Sequence, residues 1–225
     1  MTEREKILAR VREALKVQAP LPGSHGGDSS VKPPVGTARQ WLPKVGESFD
    51  EQLVLFAKNA AELKADFKLF NSAAEVHQAL IQLRDSENWK SVASHSGHLT
   101  DAACPALQIP ILRTDRPYDV HELEACGAGI SECDALIAQT GSVLVTNRSA
   151  GGRALSVLPP HHVVLARREQ LVADLPAAFE LLKQKYATDY PSMISLITGP
   201  SRTGDIERIL VLGAHGPRKL TVFCY

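Results

Sequence analysis

SFDEQLVLFAKNAAELKADFKLFNSAAEVHQALIQLRDSENWKSVAS, residues 48–94, carries the alternation that sets the fold class. Ser48 followed three positions later by Glu51 forms a capping box, in which hydroxyl and carboxylate satisfy each other's free backbone N–H groups at a helix start. Leu53, Phe56, Ala57, Ala60 and Leu63 then fall on one helical face. Residues 67–70 read as a short strand. Ser72 and Glu75 repeat the capping device, Val76, Leu80 and Leu83 supply a second buried stripe, and SVAS at 91–94 reads as the next strand. Helix and strand in turn predict an α/β fold with a mainly parallel sheet flanked by helices.

Downstream, ALIA (135–138) and SVLVT (142–146) are joined by Gln139, Thr140 and Gly141, a hairpin or tight strand connection in which Gly141 supplies a positive φ if one is needed. A buried strand follows at 163–166. A helix is expected from Asp174 and Pro176, with Leu175, Phe179, Leu182 and Tyr186 on one face. The chain then reads as strand MISLIT, turn GPSR, helix TGDIERIL, turn GAHGPR and last strand LTVFC. Upstream, Thr2 and Glu5 cap a helix whose apolar stripe is Ile7, Leu8, Val11 and Leu15. Residues 17–43 hold five Pro and four Gly and read as a linker. The expected organisation is therefore an N-terminal helix and linker over 1–43 and an α/β domain over 44–225. The stripe of the first helix needs an apolar partner, which its own domain or a second copy in a homodimer would supply.

Lys plus Arg and Asp plus Glu both number 25, so no net field draws the chain to nucleic acid or to an anionic membrane. Its longest charge-free runs, 135–147 and 154–166, fall short of the ~20 apolar residues of a membrane span. The N-terminus lacks the apolar core of a secretion signal, which points to the cytoplasm. Cys104, Cys126, Cys133 and Cys224 make no CxxC pair and read as reduced, mostly buried thiols. No GxSxG, HExxH, P-loop or GxGxxG is present, so the common hydrolase, metalloprotease, nucleotidase and dinucleotide fingerprints are absent, and no cofactor or metal is implied.

Chemistry concentrates in MISLITGPSRTGDIE, residues 193–207, where an apolar strand runs into Gly199, Ser201 and Arg202 and a helix is expected at once. At the carboxyl end of a parallel strand, free N–H groups and the helix dipole favour a small carboxylate or phosphate. Ser201 would add a hydroxyl and Arg202 a forked cation, with Thr203 and Asp205 in the opening of the helix. The plainer alternative is that Ser201 only caps and Arg202 is solvated. RSAGGR (148–153) ends on Arg153, which complements an anion if the loop lies near Ser201. QTGS offers Thr140 and Ser142 hydroxyls beside Gly141. His215, in GAHGP, is a candidate acid or base, or a turn histidine bonded to backbone. His161 and His162 are adjacent on a strand and cannot share one metal. His95, His98 and Asp101 lie in HSGHLTD, which reads as a loop and would hold zinc only if it closed correctly.

QTGS, LPPHHVVLA, GPSRTGDIE and LGAHGP, in this order and spacing, resemble the LutC/YkgG family, the lactate-utilisation protein C group built on the LUD domain. The resemblance is strongest over 126–225. It implies a fold similar to the NagB, ribose-5-phosphate isomerase and CoA-transferase group, and a cytoplasmic role in oxidising L-lactate to pyruvate beside iron–sulfur partner proteins. Members of the family are expected to carry Glu before the Thr-Gly pair. Here Gln139 stands there, and an amide cannot act as a general base. Gly204 also replaces a commoner Ala. Two other functions fit the same residues: an independent CoA-transferase-like or cyclo-ligase-like enzyme for a phosphorylated or CoA-bearing substrate, and a non-catalytic assembly factor.

Overall fold

The computed structural model describes residues 3–14, 42–203, 211–213 and 215–225. The Thr2 cap, most of the expected linker and the expected helix over 204–210, with Asp205, lie outside the described residues. The chain divides into two compact units, Met1–Leu42 and Pro43–Tyr225. The first contains α1 (Glu3–Ala14), whose described side chains, Ile7 and Leu8 among them, are exposed.

In the second unit, α2 (Phe49–Glu62) opens on the expected capping box. The Ser48 N–H donates to Glu51 Oε2 at 3.0 Å, and the Glu51 N–H donates to Ser48 Oγ at 3.2 Å. After β1 (Asp66–Leu69), α3 (Ala73–Glu87) is capped by Ser72 and stops at Asn88, whose left-handed φ of 54° ends the helix. Glu75 reaches past the cap to the Asn71 N–H, so only half of this second box closes. β2 (Val92–Ser94), α4 (His98–Ala103), β3 (Ile111–Arg113), α5 (Val120–Ala125) and β4 (Ala128–Glu132) follow. α4 departs from the loop expected over HSGHLTD: Gly97 interrupts the pattern but serves as the helix cap.

β5 (Ala135–Ile137) and β6 (Ser142–Thr146) pair antiparallel, as the hairpin reading requires. Gly141 takes φ +64°, and a Cβ there would stand 2.7 Å from the Ala60 backbone nitrogen of α2. The chain continues through β7 (His161–Ala166), β8 (Leu171–Val172), α6 (Leu175–Tyr186), β9 (Ile194–Ile197), β10 (Arg202–Thr203), β11 (Val211–Leu212) and β12 (Lys219–Cys224). α6 buries Ala178, Leu182 and Tyr186 and leaves Phe179 55% exposed, which corrects the expected face.

Six strands form one wholly parallel sheet in the order β1-β12-β7-β4-β2-β3. β4 and β7 are buried on both faces almost throughout, as parallel strands covered on both sides are, and carry the buried polar side chains Ser131, His161 and His162 among their apolar residues. A second, mixed sheet, β8-β5-β6-β9, packs through Leu136, Val143 and Val145 into the same core as Phe56, Val164 and Val222. The strand MISLIT therefore lies at an edge of the mixed sheet, antiparallel to β6, and not in the parallel sheet. Its alternation supports this placement: Ile194 and Leu196 are exposed, while Ser195 and Ile197 face inward. Among the described residues no helix is long and apolar enough to cross a membrane.

Candidate functional site

After β9 the chain does not turn helical at Ser201. Arg202 and Thr203 pair with Leu212 and Val211 in an antiparallel ribbon. The ribbon continues through Ser201, whose N–H donates to the Pro217 carbonyl and whose carbonyl accepts from the Gly213 N–H, both at 2.9 Å. β-branched Thr203 and the poor helix former Gly204 both weigh against a helix starting here. Among the described residues the Ser201 N–H is therefore spent on the ribbon and is not a free helix-start donor.

The same ribbon closes a cavity of about 440 Å³ against the turn after RSAGGR and the inner edge of β9. Arg153 and Ser156 come from the turn, Ser195, Thr198 and Gly199 from β9 and its end, and Ser201, His215 and Gly216 from the ribbon. Val157, Met193, Ile197 and Pro217 give it apolar wall. Arg153 is exposed and has no acidic partner among the described residues, so its charge is available to a ligand. One cation, four hydroxyls and an imidazole on a partly apolar wall suit a small carboxylate with a short organic remainder.

Of the residues singled out from sequence, Arg153, Gly199, Ser201 and His215 meet in this cavity. Arg202 does not line it; its exposed guanidinium lies 3.5 Å from the Thr198 carbonyl. Ser142 is buried behind the wall and bonds Thr198 Oγ1 at 2.8 Å, so it orients a lining hydroxyl. Gly141 is committed to packing on α2, and Thr140 Oγ1 is a buried hydroxyl without a partner. Gln139 donates to the Pro43 carbonyl at 3.4 Å, away from the cavity. Thr203 belongs to the β10 ladder. Thr198, Gly216 and Pro217 were inside motifs read from sequence but were not singled out, and Ser156 carries no local signal.

The loop that brings Arg153 here is anchored by a buried carboxylate. Asp134, 3% exposed, accepts from Lys185 Nζ and Tyr186 Oη at 2.6 Å and from Ser149 Oγ at 2.5 Å. Burial pushes its pKa up, but these three donors outweigh it and hold the carboxyl below its ordinary value.

In the parallel sheet, the connections diverge between β2 and β4, the place where open sheets of this kind take ligands. Here the chain supplies a carboxylate of its own. Glu132, at the end of β4, accepts from the Leu99 and Thr100 N–H groups of α4 at 2.7 and 3.1 Å. Gly97 makes room for that carboxylate, since a Cβ there would sit 2.2 Å from Glu132 Oε1. His95 donates from Nδ1 to the Ser96 carbonyl and accepts the Glu132 N–H on Nε2, and burial lowers its pKa. His98 bonds Arg167 and Asp101 pairs with Arg113, so the three possible ligands in HSGHLTD are engaged with different partners. His161 and His162 point to Thr221 and Ser131 respectively. All four cysteines are buried and form no disulfide, and their thiol pKa values are raised by burial.

Residues 93–224, which include every described residue of this cavity, match the LUD domain family. The chain belongs to that family. This LUD domain is 35% identical over 103 residues to lactate utilization protein C of Anoxybacillus flavithermus, an alignment covering 46% of each chain. It is 33% identical over 113 residues to lactate utilization protein C of Deinococcus radiodurans, covering 50% of this chain and 52% of that one. It therefore spans about half the length of these relatives. The match to the Shouchella clausii protein of the same name is longer, 28% over 186 residues and 79% of each chain. A crystal structure of a DUF162 family protein from Deinococcus radiodurans superposes on this LUD domain with a TM-score of 0.62 at 24% identity, covering 80% of this chain and 99% of that one, which establishes the shared fold.

Proposed function

We propose that this LUD domain protein acts in lactate utilisation as the subunit that binds a small carboxylate, working in the cytoplasm with iron–sulfur partner proteins that carry the electrons. The observation that carries the reading is the meeting of Arg153 with Ser201 and His215, from segments about 50 residues apart in sequence, in one cavity of about 440 Å³. The names of the relatives point to the same pathway. Converting lactate to pyruvate removes two hydrogens and needs an electron acceptor. With its four cysteines buried and separate, this chain would position the acid and leave electron transfer to the partners. Arg153 would hold the carboxylate, and His215 and Ser201 would meet the hydroxyl or keto oxygen.

The test is the melting temperature of the full chain with L-lactate or pyruvate, for wild type and Arg153→Ala. A ligand that binds the native state raises Tm. The expected result is an increase in the wild type that the variant loses. An equal increase in Arg153→Ala, or none with either acid in the presence of the partner proteins, would overturn the reading. Deletion of the gene should abolish growth on L-lactate and spare growth on glucose.

A further inference from the structure

At the opposite, amino-terminal edge of the parallel sheet lies a second cavity, of about 300 Å³, between the end of α3 and the starts of β4, β7 and β12. Its wall carries Lys90, Arg218 and Lys219 against one acid, Glu87. Lys219 Nζ spans both oxygens of Glu87 at 2.6 and 2.7 Å, which neutralises that pair. Lys90 bonds only the neutral Asn88 side chain, at 2.7 Å, and the Arg218 guanidinium has no partner among the described residues. Two positive charges are thus left over on one wall.

Behind them stands His161, only 4% exposed, its ring edge-on to Trp89 at 5.4 Å between centroids. Nε2 pairs with Thr221 Oγ1 at 2.9 Å, and Nδ1 has no hydrogen-bond partner. A buried polar nitrogen left unsatisfied costs about 1–3 kcal/mol, and is expected where a ligand completes the bonding. His162 Nδ1 is also unpartnered, but His162 lines none of the described cavities.

We propose that this cavity is a phosphate-binding site in which Arg218 and Lys90 hold the oxyanion and His161 offers it an Nδ1–H, with the Thr221 hydroxyl donating to Nε2. Two cations match a phosphate dianion, and the cavity is larger than the anion alone, which leaves room for the remainder of a phosphate monoester. Burial pushes the His161 pKa down to about 4, so the ring serves as a neutral donor near pH 7. The two cavities share no lining residue.

The full chain labelled with 15N-histidine tests it, with the imidazole nitrogens followed by NMR during titration with inorganic phosphate, with glycerol phosphate, and with chloride at matched ionic strength. The expected result is a saturable change at His161 Nδ1 towards the protonated, pyrrole-like position, with His162 unmoved. Arg218→Ala, at an exposed position, should keep the wild-type melting temperature and weaken binding by about tenfold or more. A response to both phosphates identifies the phosphoryl group itself as the ligand; a response to the monoester alone shows that the organic part contributes. An unmoved His161 with both compounds, an equal change with chloride, or undiminished binding by Arg218→Ala would overturn the proposal.

Discussion

Gly141 and Asp134 show how differently single residues declare themselves. The positive φ at Gly141 was legible because a glycine between two apolar strand runs has few other reasons to be there. Replacing it by Ala puts a Cβ 2.7 Å from the α2 backbone at φ +64°. Gly141→Ala should lower stability by about 1–3 kcal/mol in urea denaturation, since strain adds to the clash. Asp134 gave no such notice: it sits among apolar residues, and its partners Lys185 and Tyr186 lie 51 and 52 positions on. Asp134→Ala removes the acceptor shared by Lys185, Ser149 and the Tyr186 hydroxyl, leaving that hydroxyl only Thr146 Oγ1 at 3.1 Å, and should cost about 2 kcal/mol. It should also weaken carboxylate binding in the Arg153 cavity, because the loop that presents Arg153 loses its anchor. Calorimetry for ligand and urea unfolding for stability separate the two effects. An Asp134→Ala protein with wild-type unfolding and binding would show that the network anchors nothing.

Elements were legible where a local rule fixes them. Both caps of α2 and α3 were read from serine and glutamate spacing, because a cap depends on neighbours three residues apart. Ser48→Ala should destabilise by about 1 kcal/mol, with a matching loss of helical signal at lower urea. The element after β9 was misread for the complementary reason. GPSRT resembles a strand-to-helix turn, but Arg202 and Thr203 are claimed by Leu212 and Val211, and that pairing is not local. Phe179 follows the same logic: it shares a helical face with Leu182 in the sequence pattern, yet α6 turns Ala178, Leu182 and Tyr186 towards the mixed sheet. An apolar stripe wider than the contact leaves one flank in solvent.

At the scale of the whole molecule, burial of histidines in the parallel sheet sets a pH dependence. Burial lowers His161 and His162 from an ordinary value of 6.5 to about 4 and about 3. Their folded pKa values are depressed, so below pH 6.5 the unfolded chain takes up protons that the native state refuses, and stability falls as the pH drops. The slope should reach about 1.4 kcal/mol per pH unit for each histidine between pH 6 and 4. Urea unfolding at pH 7, 6, 5 and 4 measures it. His161→Gln should flatten the profile above pH 4, and an unchanged slope in that variant would remove His161 from the account. Asp134 acts only at lower pH: its depressed carboxyl adds stability above its ordinary value of 3.8, lost as the pH falls through the folded pKa.

By itself the sequence determined the α/β class, the starts of α2, α3 and α6, the β5–β6 turn and the family, because each depends on periodicity, caps or motifs within a short span. The resemblance seen in QTGS, LPPHHVVLA, GPSRTGDIE and LGAHGP agrees with the match over residues 93–224. Only the tertiary structure decided that the apolar runs divide into a six-stranded parallel and a four-stranded mixed sheet, since an apolar strand pairs equally well in either until its neighbours are in place. It also decided that Arg153 faces Ser201 and His215, while Glu132 occupies the helix start at the sheet's own crevice. A guanidinium, a hydroxyl and an imidazole from distant segments meet because the core beneath them packs in one way, and no spacing along the chain records that meeting.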